Sequence, residues 1–265
     1  MKFPLEIFEN ILSTLSLIDI LNLSETSKSL NYICRSSKLN VLVKVDYDNY
    51  RYVKNIWPRL KHFVDIPFTG ITDINGLSNV HKLNLSNSWN LFDVSSLKNL
   101  HTLDIRRCKN VSDVSSLRNL HTLDMSLCTN VLDVSNLKSL HTLDISYCCN
   151  IYDVSELCNL YELNISYTSV YNIDNLKNVK ILNVSGCCNL LEIGVELNCH
   201  TIDLSYTKII CVDNLKRVKN ICLNHSKVED VSKLTNVYKL IMLGCPNVRN
   251  LEKLIGRVQY LDWKP

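Results

Sequence analysis

Residues 100–159 write one twenty-residue sentence three times: LHTLDIRRCKNVSDVSSLRN, LHTLDMSLCTNVLDVSNLKS and LHTLDISYCCNIYDVSELCN. Leucine recurs at the first and fourth positions, an apolar residue at the sixth and cysteine at the ninth. No unit this short can bury its own apolar side, so it folds only by stacking on its copies. In the first copy Leu103 and Ile105 alternate with Thr102, Asp104 and Arg106. That alternation predicts a short strand, with the leucine and isoleucine facing a shared core and the other three on the concave face of a parallel sheet. Leu100 fills the core before the strand, and Val111, Val114 and Leu117 close it on the far side. The run Asp113-Val114-Ser115-Ser116 offers polar caps for a turn or one turn of 3₁₀ helix. About twenty residues leave no room for a long helix after the strand, so the convex wall is expected to be extended or 3₁₀-like.

The spacing L-x-x-L-x-L-x-x-N/C resembles that of leucine-rich repeats. It extends outward through the pairs Leu83/Leu85, Leu163/Ile165, Leu182/Val184, Ile202/Leu204, Ile221/Leu223, Leu240/Met242 and Leu261/Trp263. A weaker unit, 60–79, precedes them. Units carrying Cys/Ser-x-Asn after the strand, as at Cys108/Asn110, take twenty residues, whereas those with Thr168, Thr207 or Ser226 take nineteen. The expected class is α/β, a parallel-β solenoid over residues 60–265 behind a small helical domain, for which the 265-residue chain has ample length.

Residues 3–35 break the repeat. Pro4 suits the first turn of a helix, and Leu5, Phe8, Ile11, Leu12 and Leu15 fall on one helical stripe. Asp19 sits near the start of a second helix holding Ile20, Leu21 and Leu23. Ser24 or Thr26 opens a third that buries Leu30 and Ile33. Three short helices expose more apolar surface than they hide, which suggests a partner.

The run Phe3-Pro4-Leu5-Glu6-Ile7-x3-Ile11-Leu12-Ser13-x-Leu15-x3-Asp19-Ile20-Leu21-x-Leu23 resembles an F-box. Phe3 replaces the family's leucine before the proline, and Leu30 stands where many F-boxes carry tryptophan. The resemblance implies that residues 1–38 dock on the Skp adaptor, and through it the cullin, of an SCF-type ubiquitin ligase. Pro4, Leu5, Ile7, Ile11, Leu12, Leu15, Asp19, Ile20 and Leu21 would form that contact. The whole chain then resembles the F-box/leucine-rich-repeat proteins, whose repeats hold the protein to be ubiquitinated. The alternative is a helical cap that only shields the first repeat. Residues 39–59, with Val41, Val43 and Val45 in alternation, read equally as a bracket or as a degenerate first repeat.

Three columns of polar residues invite a chemical reading. Cys108, Cys128 and Cys148, with Cys187 and Cys245, occupy one repeat position that elsewhere holds Ser88, Thr168, Thr207 and Ser226. A column spreads thiolates along an axis, whereas zinc needs them converging on a point, so a structural role is expected and no metal. His81, His101, His121, His141 and His200 form a second column, expected beside the strand at the surface. Asp104, Asp124 and Asp144 form a third, acidic column that Thr102, Thr122 and Thr142 would relieve by hydrogen bonding. No phosphate loop, H-E-x-x-H or elbow serine is present, so neither catalysis nor a cofactor is expected.

Net charge is +3, too mild to argue for nucleic acid. The apolar stretches are too short for a membrane. The N-terminus does not read as a signal peptide, and the cysteines therefore suggest a reduced, intracellular setting, cytoplasmic or nuclear. Alanine is absent, which suits an AT-rich genome, cellular or of a large DNA virus.

Target binding is expected where the near-identical units differ, at the strand ends. These give one row of Arg106, Ser126 and Ser146 and another of Arg107, Leu127, Tyr147, Tyr167 and Tyr206. Tyrosine and arginine are frequent binding anchors. Beside the acidic column they suggest a basic segment of a target on the concave face of a monomeric receptor.

Overall fold

The computed structural model describes residues 5–28, 31–32, 42–56 and 61–264. Helices α1 (Leu5–Thr14) and α2 (Leu17–Thr26) lead into β1 (Leu42–Val45), α3 (Tyr47–Ile56) and β2 (Lys61–Asp65). Ten further strands follow at nineteen- to twenty-one-residue steps. They are β3 (Lys82–Asn84), β4 (Thr102–Asp104), β5 (Thr122–Asp124), β6 (Thr142–Asp144), β7 (Glu162–Asn164), β8 (Ile181–Asn183), β9 (Thr201–Asp203), β10 (Asn220–Cys222), β11 (Lys239–Leu243) and β12 (Tyr260–Lys264). All twelve form one sheet in chain order, every neighbouring pair parallel, with Leu83, Leu103, Leu123 and Leu143 in register. The return wall carries single 3₁₀ turns, as at Ser95–Leu97 and Asp213–Leu215, and is otherwise without regular structure. This is the parallel-β solenoid with an extended and 3₁₀ convex wall that the repeat predicted.

The unit packs as its spacing requires. Leu100, Leu103, Ile105, Cys108, Val111, Val114 and Leu117 are all buried, and their counterparts continue that core from β1 to Cys245. Backbone pairing runs beyond the strands: Ile105 N–H donates to Asp124 O at 2.8 Å and Arg107 N–H to Ser126 O at 2.8 Å. Asparagines stitch the turns together on the wall. Asn110 Nδ2 donates to Trp89 O at 2.6 Å and Asn150 Nδ2 to Thr129 O at 2.8 Å, which gives the twenty-residue units a physical reason. Where that asparagine is missing, Thr168 and Thr207 turn back on their own units and donate to Ile165 O and Leu204 O at 2.6 and 2.7 Å.

Asp19 lies in the first turn of α2, as expected. The helix runs through Ser24 to Thr26, so Ser24 opens no third helix, and helical backbone resumes at Lys28. Leu30 and Ile33 lie outside the described residues. Ser16 caps α2: its hydroxyl accepts from Asp19 N–H at 3.2 Å and its backbone N–H donates to Asp19 Oδ2 at 3.2 Å, a reciprocal capping box. β1 pairs with β2 as the first strand of the sheet, so the segment between helices and repeats contains a true solenoid strand followed by a helix.

Under α3, His62 is buried in the core, in register with Val43 of β1 on one side and one step before His81 on the other. It is 2% exposed, its Nε2 has no hydrogen-bond partner among the described residues, and Tyr50 meets its ring edge-on at 5.5 Å. Burial pulls its pKa down to about 4. The unfolded imidazole titrates near 6.5, so between those values the unfolded state binds the extra proton. Stability is therefore full above about pH 6.5 and falls as pH drops toward 4, by about 3 kcal/mol from this residue. Urea unfolding at pH 7 and pH 4.5 should show that fall, and His62→Leu should reduce it, leaving the share of the more exposed His81, which burial also pulls down to about 4.

Candidate functional site

Two exposed positions of each three-residue strand line the concave face. Register places Asp104, Asp124 and Asp144 side by side, followed by Asn164, Asn183 and Asp203. The column is built into the turns. Asp124 Oδ1 accepts the backbone N–H of Ser126 at 3.1 Å, Asp144 Oδ1 that of Ser146 at 2.8 Å and Asp203 Oδ1 that of Ser205 at 2.9 Å. Arg106 spans the first two acids, with Nη2 at 2.7 Å from Asp104 Oδ2 and Nε at 3.3 Å from Asp124 Oδ2. Asn164 Nδ2 donates to Asp144 Oδ2 at 2.9 Å. The threonines do not relieve the acids as expected. Thr102 and Thr122 lie instead beside His101 and His121, with Oγ1 to Nδ1 separations of 3.3 and 3.4 Å. Burial nonetheless pushes the Asp124 carboxyl above its ordinary value.

The strand-end row has an unforeseen property. Cys108 N–H donates to Ile105 O at 3.1 Å, closing a tight turn whose third residue is Arg107. Arg107, Leu127, Tyr147, Tyr167, Gly186, Tyr206, His225 and Gly244 all occupy that position, with φ between 54° and 70°. Asn87 and Phe68 belong to the same row at φ 61° and 58°. This is left-handed backbone, which favours glycine or asparagine and strains other residues by about 1 kcal/mol. Each N–H in the row is tied to the next turn, Tyr147 to Ser166 O and Tyr167 to Ser185 O, both at 2.8 Å, so the ladder imposes the conformation.

The row is two aromatic pairs with a gap. Tyr147 and Tyr167 stack at 4.6 Å and 6°, and Tyr206 stacks on His225 at 4.9 Å. Tyr167 leans over Gly186, where an added Cβ would come within 2.6 Å of its ring. The rings of Tyr147, Tyr167 and Tyr206 are exposed. At the other end Arg106, Arg107 and Leu127 line a cleft of about 490 Å³ with Pro67, Phe68 and Asn87. Asp124 and Asp144 line a second cleft of about 420 Å³ with Glu162 and Ile181. Phe68 escaped the sequence reading because its unit is irregular; the signal was its register with Asn87.

Of the residues read as adaptor contacts, Ile7 and Ile11 are 42% and 46% exposed, and Ile18, not foreseen, is 68% exposed. Leu12 and Ile20 are buried in the core shared with β1, and Leu15 packs against it. Asp19 caps α2. Pro4 lies outside the described residues, as do the side chains of Leu5 and Leu21.

The cysteine column is buried and satisfied. Each Sγ donates to a carbonyl of the preceding turn: Cys108 to Leu85 O at 3.2 Å, Cys128 to Ile105 O at 3.0 Å and Cys148 to Met125 O at 3.2 Å. Burial pushes Cys108 up to about 11 and Cys148 up to about 12, and raises Cys128 as well, so the thiols stay protonated. Among the described residues no group of three His, Cys, Asp or Glu side chains is placed to hold a metal. His81, His101, His121 and His141 stack in sequence at 4.6–4.8 Å and continue onto Tyr161 at 5.0 Å. His200 is not in that stack, because Lys180 separates it from Tyr161 along the ladder.

Residues 1–42 match the F-box domain. They are an F-box. The solenoid behind them resembles leucine-rich-repeat proteins of known structure. An internalin, InlF, of Listeria monocytogenes aligns with a TM-score of 0.51 at 20% identity, over 86% of this chain and 75% of its own. The functional domain of InlJ from the same organism, which includes a cysteine ladder, aligns with a TM-score of 0.53 at 17% identity, over 76% of this chain and 62% of its own. A chain of the mouse RP105/MD-1 complex aligns with a TM-score of 0.51 at 16% identity, over 89% of this chain and 53% of its own. These likenesses establish the fold. Among curated proteins no relative matches the chain. An F-box joined to such a solenoid supports a protein-interaction or substrate-receptor role.

Thiol titration checks the cysteine assignment. Under native conditions a disulfide reagent should modify the exposed Cys149, Cys158, Cys188 and Cys211 quickly and the buried column only after unfolding. Cys128→Ser should fold with a loss of about 1 kcal/mol, because the shorter hydroxyl reaches Ile105 O less well. Stoichiometric zinc in the wild type that disappears in this variant would contradict the assignment.

Proposed function

We propose that this chain is the substrate-recognition subunit of an SCF-type ubiquitin ligase. In this reading residues 1–38 dock on the Skp adaptor, and through it the cullin. Residues 39–59 join head to solenoid, and residues 60–265 hold the target. The chain works as a monomer within the complex, inside the cell, and the ligase supplies the chemistry. It needs no cofactor, nucleic acid or membrane surface. No helix among the described residues is long and apolar enough to cross a membrane. The observation that carries the proposal is the F-box at residues 1–42 ahead of a protein-binding type of fold.

Among the described side chains of α1 and α2, Ile7, Ile11 and Ile18 are the large apolar ones left exposed, and Tyr32 is exposed just beyond them. One observation favours the rival, a solenoid whose helices serve only as its cap: Leu12 and Ile20 are committed to the core. The two separate in one experiment. Ile7→Asp, Ile11→Asp and Ile18→Asp together should leave the melting temperature unchanged within a few degrees and abolish co-purification with Skp and cullin from a eukaryotic lysate. Undiminished capture by the folded triple variant, or no capture by the wild type, supports the cap instead.

For the target, we assign the concave face between Arg107 and Tyr206. Asp104, Arg106, Asp124 and Asp144 lie in the strands and turns beside Leu127, Tyr147 and Tyr167. The row tolerates asparagine and glycine in other turns, and those residues suit its backbone better. Exposed tyrosines held there against backbone preference point to recognition. Arg107, Tyr147, Tyr167 and Tyr206 all changed to Asn, as at Asn87, should therefore keep or slightly raise stability and retain adaptor binding. In proximity labelling the variant should lose the wild-type neighbours; an unchanged neighbour set would remove the row from the site.

A further inference from the structure

The return wall, away from both surfaces just described, carries an exposed apolar stripe. In each turn two consecutive residues face solvent between two buried ones, as Leu132 and Asp133 do between Val131 and Val134. The first of these positions is Leu132, Tyr152, Tyr171, Leu191 and Ile210 in five consecutive turns, with exposures of 65%, 52%, 60%, 62% and 54%. The scaffold does not require apolar residues there, because other turns place Thr72, Ser112 and Glu229 at the same position, all exposed. Turns spaced about 4.8 Å apart make this a stripe about 20 Å long, the length of about thirteen helical residues. A continuous exposed apolar patch of this kind marks an interaction site.

The second position supplies the charge. It is Asp93, Asp113, Asp133 and Asp153 in successive turns, then Asn172 and Glu192. The aspartates accept the backbone N–H of the serine two residues on, Asp113 from Ser115 and Asp133 from Ser135, both at 2.8 Å. These bonds hold Asp93 and Asp113 below the ordinary carboxylate value, so both are ionised at neutral pH. Among the described residues none of Asp93, Asp113, Asp133, Asp153 and Glu192 has an ion-pair partner within 4.0 Å. Arg118 and Lys138, five residues after Asp113 and Asp133, are engaged elsewhere. Arg118 Nε donates to Ser115 O at 3.2 Å, and Lys138 is engaged by Glu156 at 2.6 Å. In the five turns of the stripe the second position is thus negative at Asp133, Asp153 and Glu192 and neutral at Asn172 and Cys211, and Asp93 and Asp113 extend the acidic row beyond the stripe's first turn.

We propose that this stripe is a second docking surface, and that its partner is a basic amphipathic helix. The helix would lie across the turns with apolar residues at i, i+3, i+4 and i+7 on the stripe and lysines or arginines against the acidic row. A second copy of this chain fits less well, because two acidic borders would face each other.

The test uses the full chain and a labelled eighteen-residue leucine–lysine peptide of that spacing, with a peptide of identical composition and scattered leucines as control. Anisotropy should show binding of the patterned peptide only, weakening steeply with salt. Leu132→Ser, Tyr152→Ser and Leu191→Ser together should weaken it at least tenfold. Asp113→Asn, Asp133→Asn and Asp153→Asn together should flatten the salt dependence while leaving the apolar stripe intact, which covers the case of a serine variant that folds poorly. Equal binding of both peptides, no binding, or no effect of the acidic-row variant would overturn the proposal. So would wild-type dimerisation in sedimentation that the serine variant abolishes, since the occupant would then be a second copy.

Discussion

No turn of this solenoid can satisfy itself, and each element of the structure follows from that. A strand of three residues makes few hydrogen bonds of its own. The backbone therefore continues to pair through the turn, from Ile105 to Asp124 and from Arg107 to Ser126. Below the sheet every apolar side chain rests on its equivalents in the turns either side. The polar groups at the fold's corners obey the same rule: Cys128 reaches the carbonyl of Ile105, and Asn150 that of Thr129. Deleting one such group removes a bond to the neighbouring unit, so its cost is shared along the axis rather than staying in one turn.

That mutual dependence also explains how the strand-end row can carry strained residues. The left-handed conformation of Tyr147 and Tyr167 is enforced by N–H groups that must meet Ser166 and Ser185. With the backbone fixed by its neighbours, the side chain is released from any duty to the local conformation. The penalty is spread over a cooperative array that tolerates it. The result is a rank of outward-directed side chains, rigid at the root, with the stack at 4.6 Å ordering two of the rings before any partner arrives.

Much of this was legible in the sequence, because leucine spacing maps directly onto burial. The strand register and the short convex wall follow from the period alone. Features that depend on a second turn were harder to read. Asp104, Asp124 and Asp144 were visible as a column, yet their main occupation is to accept backbone N–H groups of the turn. Asn164 at the next step is a donor that relieves Asp144. His200 shares a repeat position with His141, but substitution of Lys180 between them breaks the stack. Leu12 and Ile20 read as partner contacts because the amphipathic stripe of a helix does not say which apolar surface will cover it; β1 does so from within the chain. Phe68 was hidden by its unit's irregular length, and Ile18 because only three-dimensional packing shows which isoleucine is left outside.

The continuity of one core from Leu12 to Cys245 bears on how such a chain would serve as a receptor. The helices that carry Ile7, Ile11 and Ile18 are seated on β1, which is itself a strand of the twelve-stranded sheet. An adaptor-side surface and a target-side surface would then be related by a count of turns, each contributing about 4.8 Å along the sheet. The units at 100–159 differ mostly at exposed positions, and in the core only by the apolar exchanges Ile105/Met125/Ile145 and Val111/Val131/Ile151, so their interiors are similar. Adding or removing one such unit would move every anchor beyond it by one step while leaving the buried contacts of each turn unchanged. Distance from the F-box is thus adjustable in whole turns, independently of the chemistry of the surface. In a receptor that must hold a target at a set distance from a ligase, that separation of spacing from recognition is what a solenoid offers and a globular domain of equal size does not.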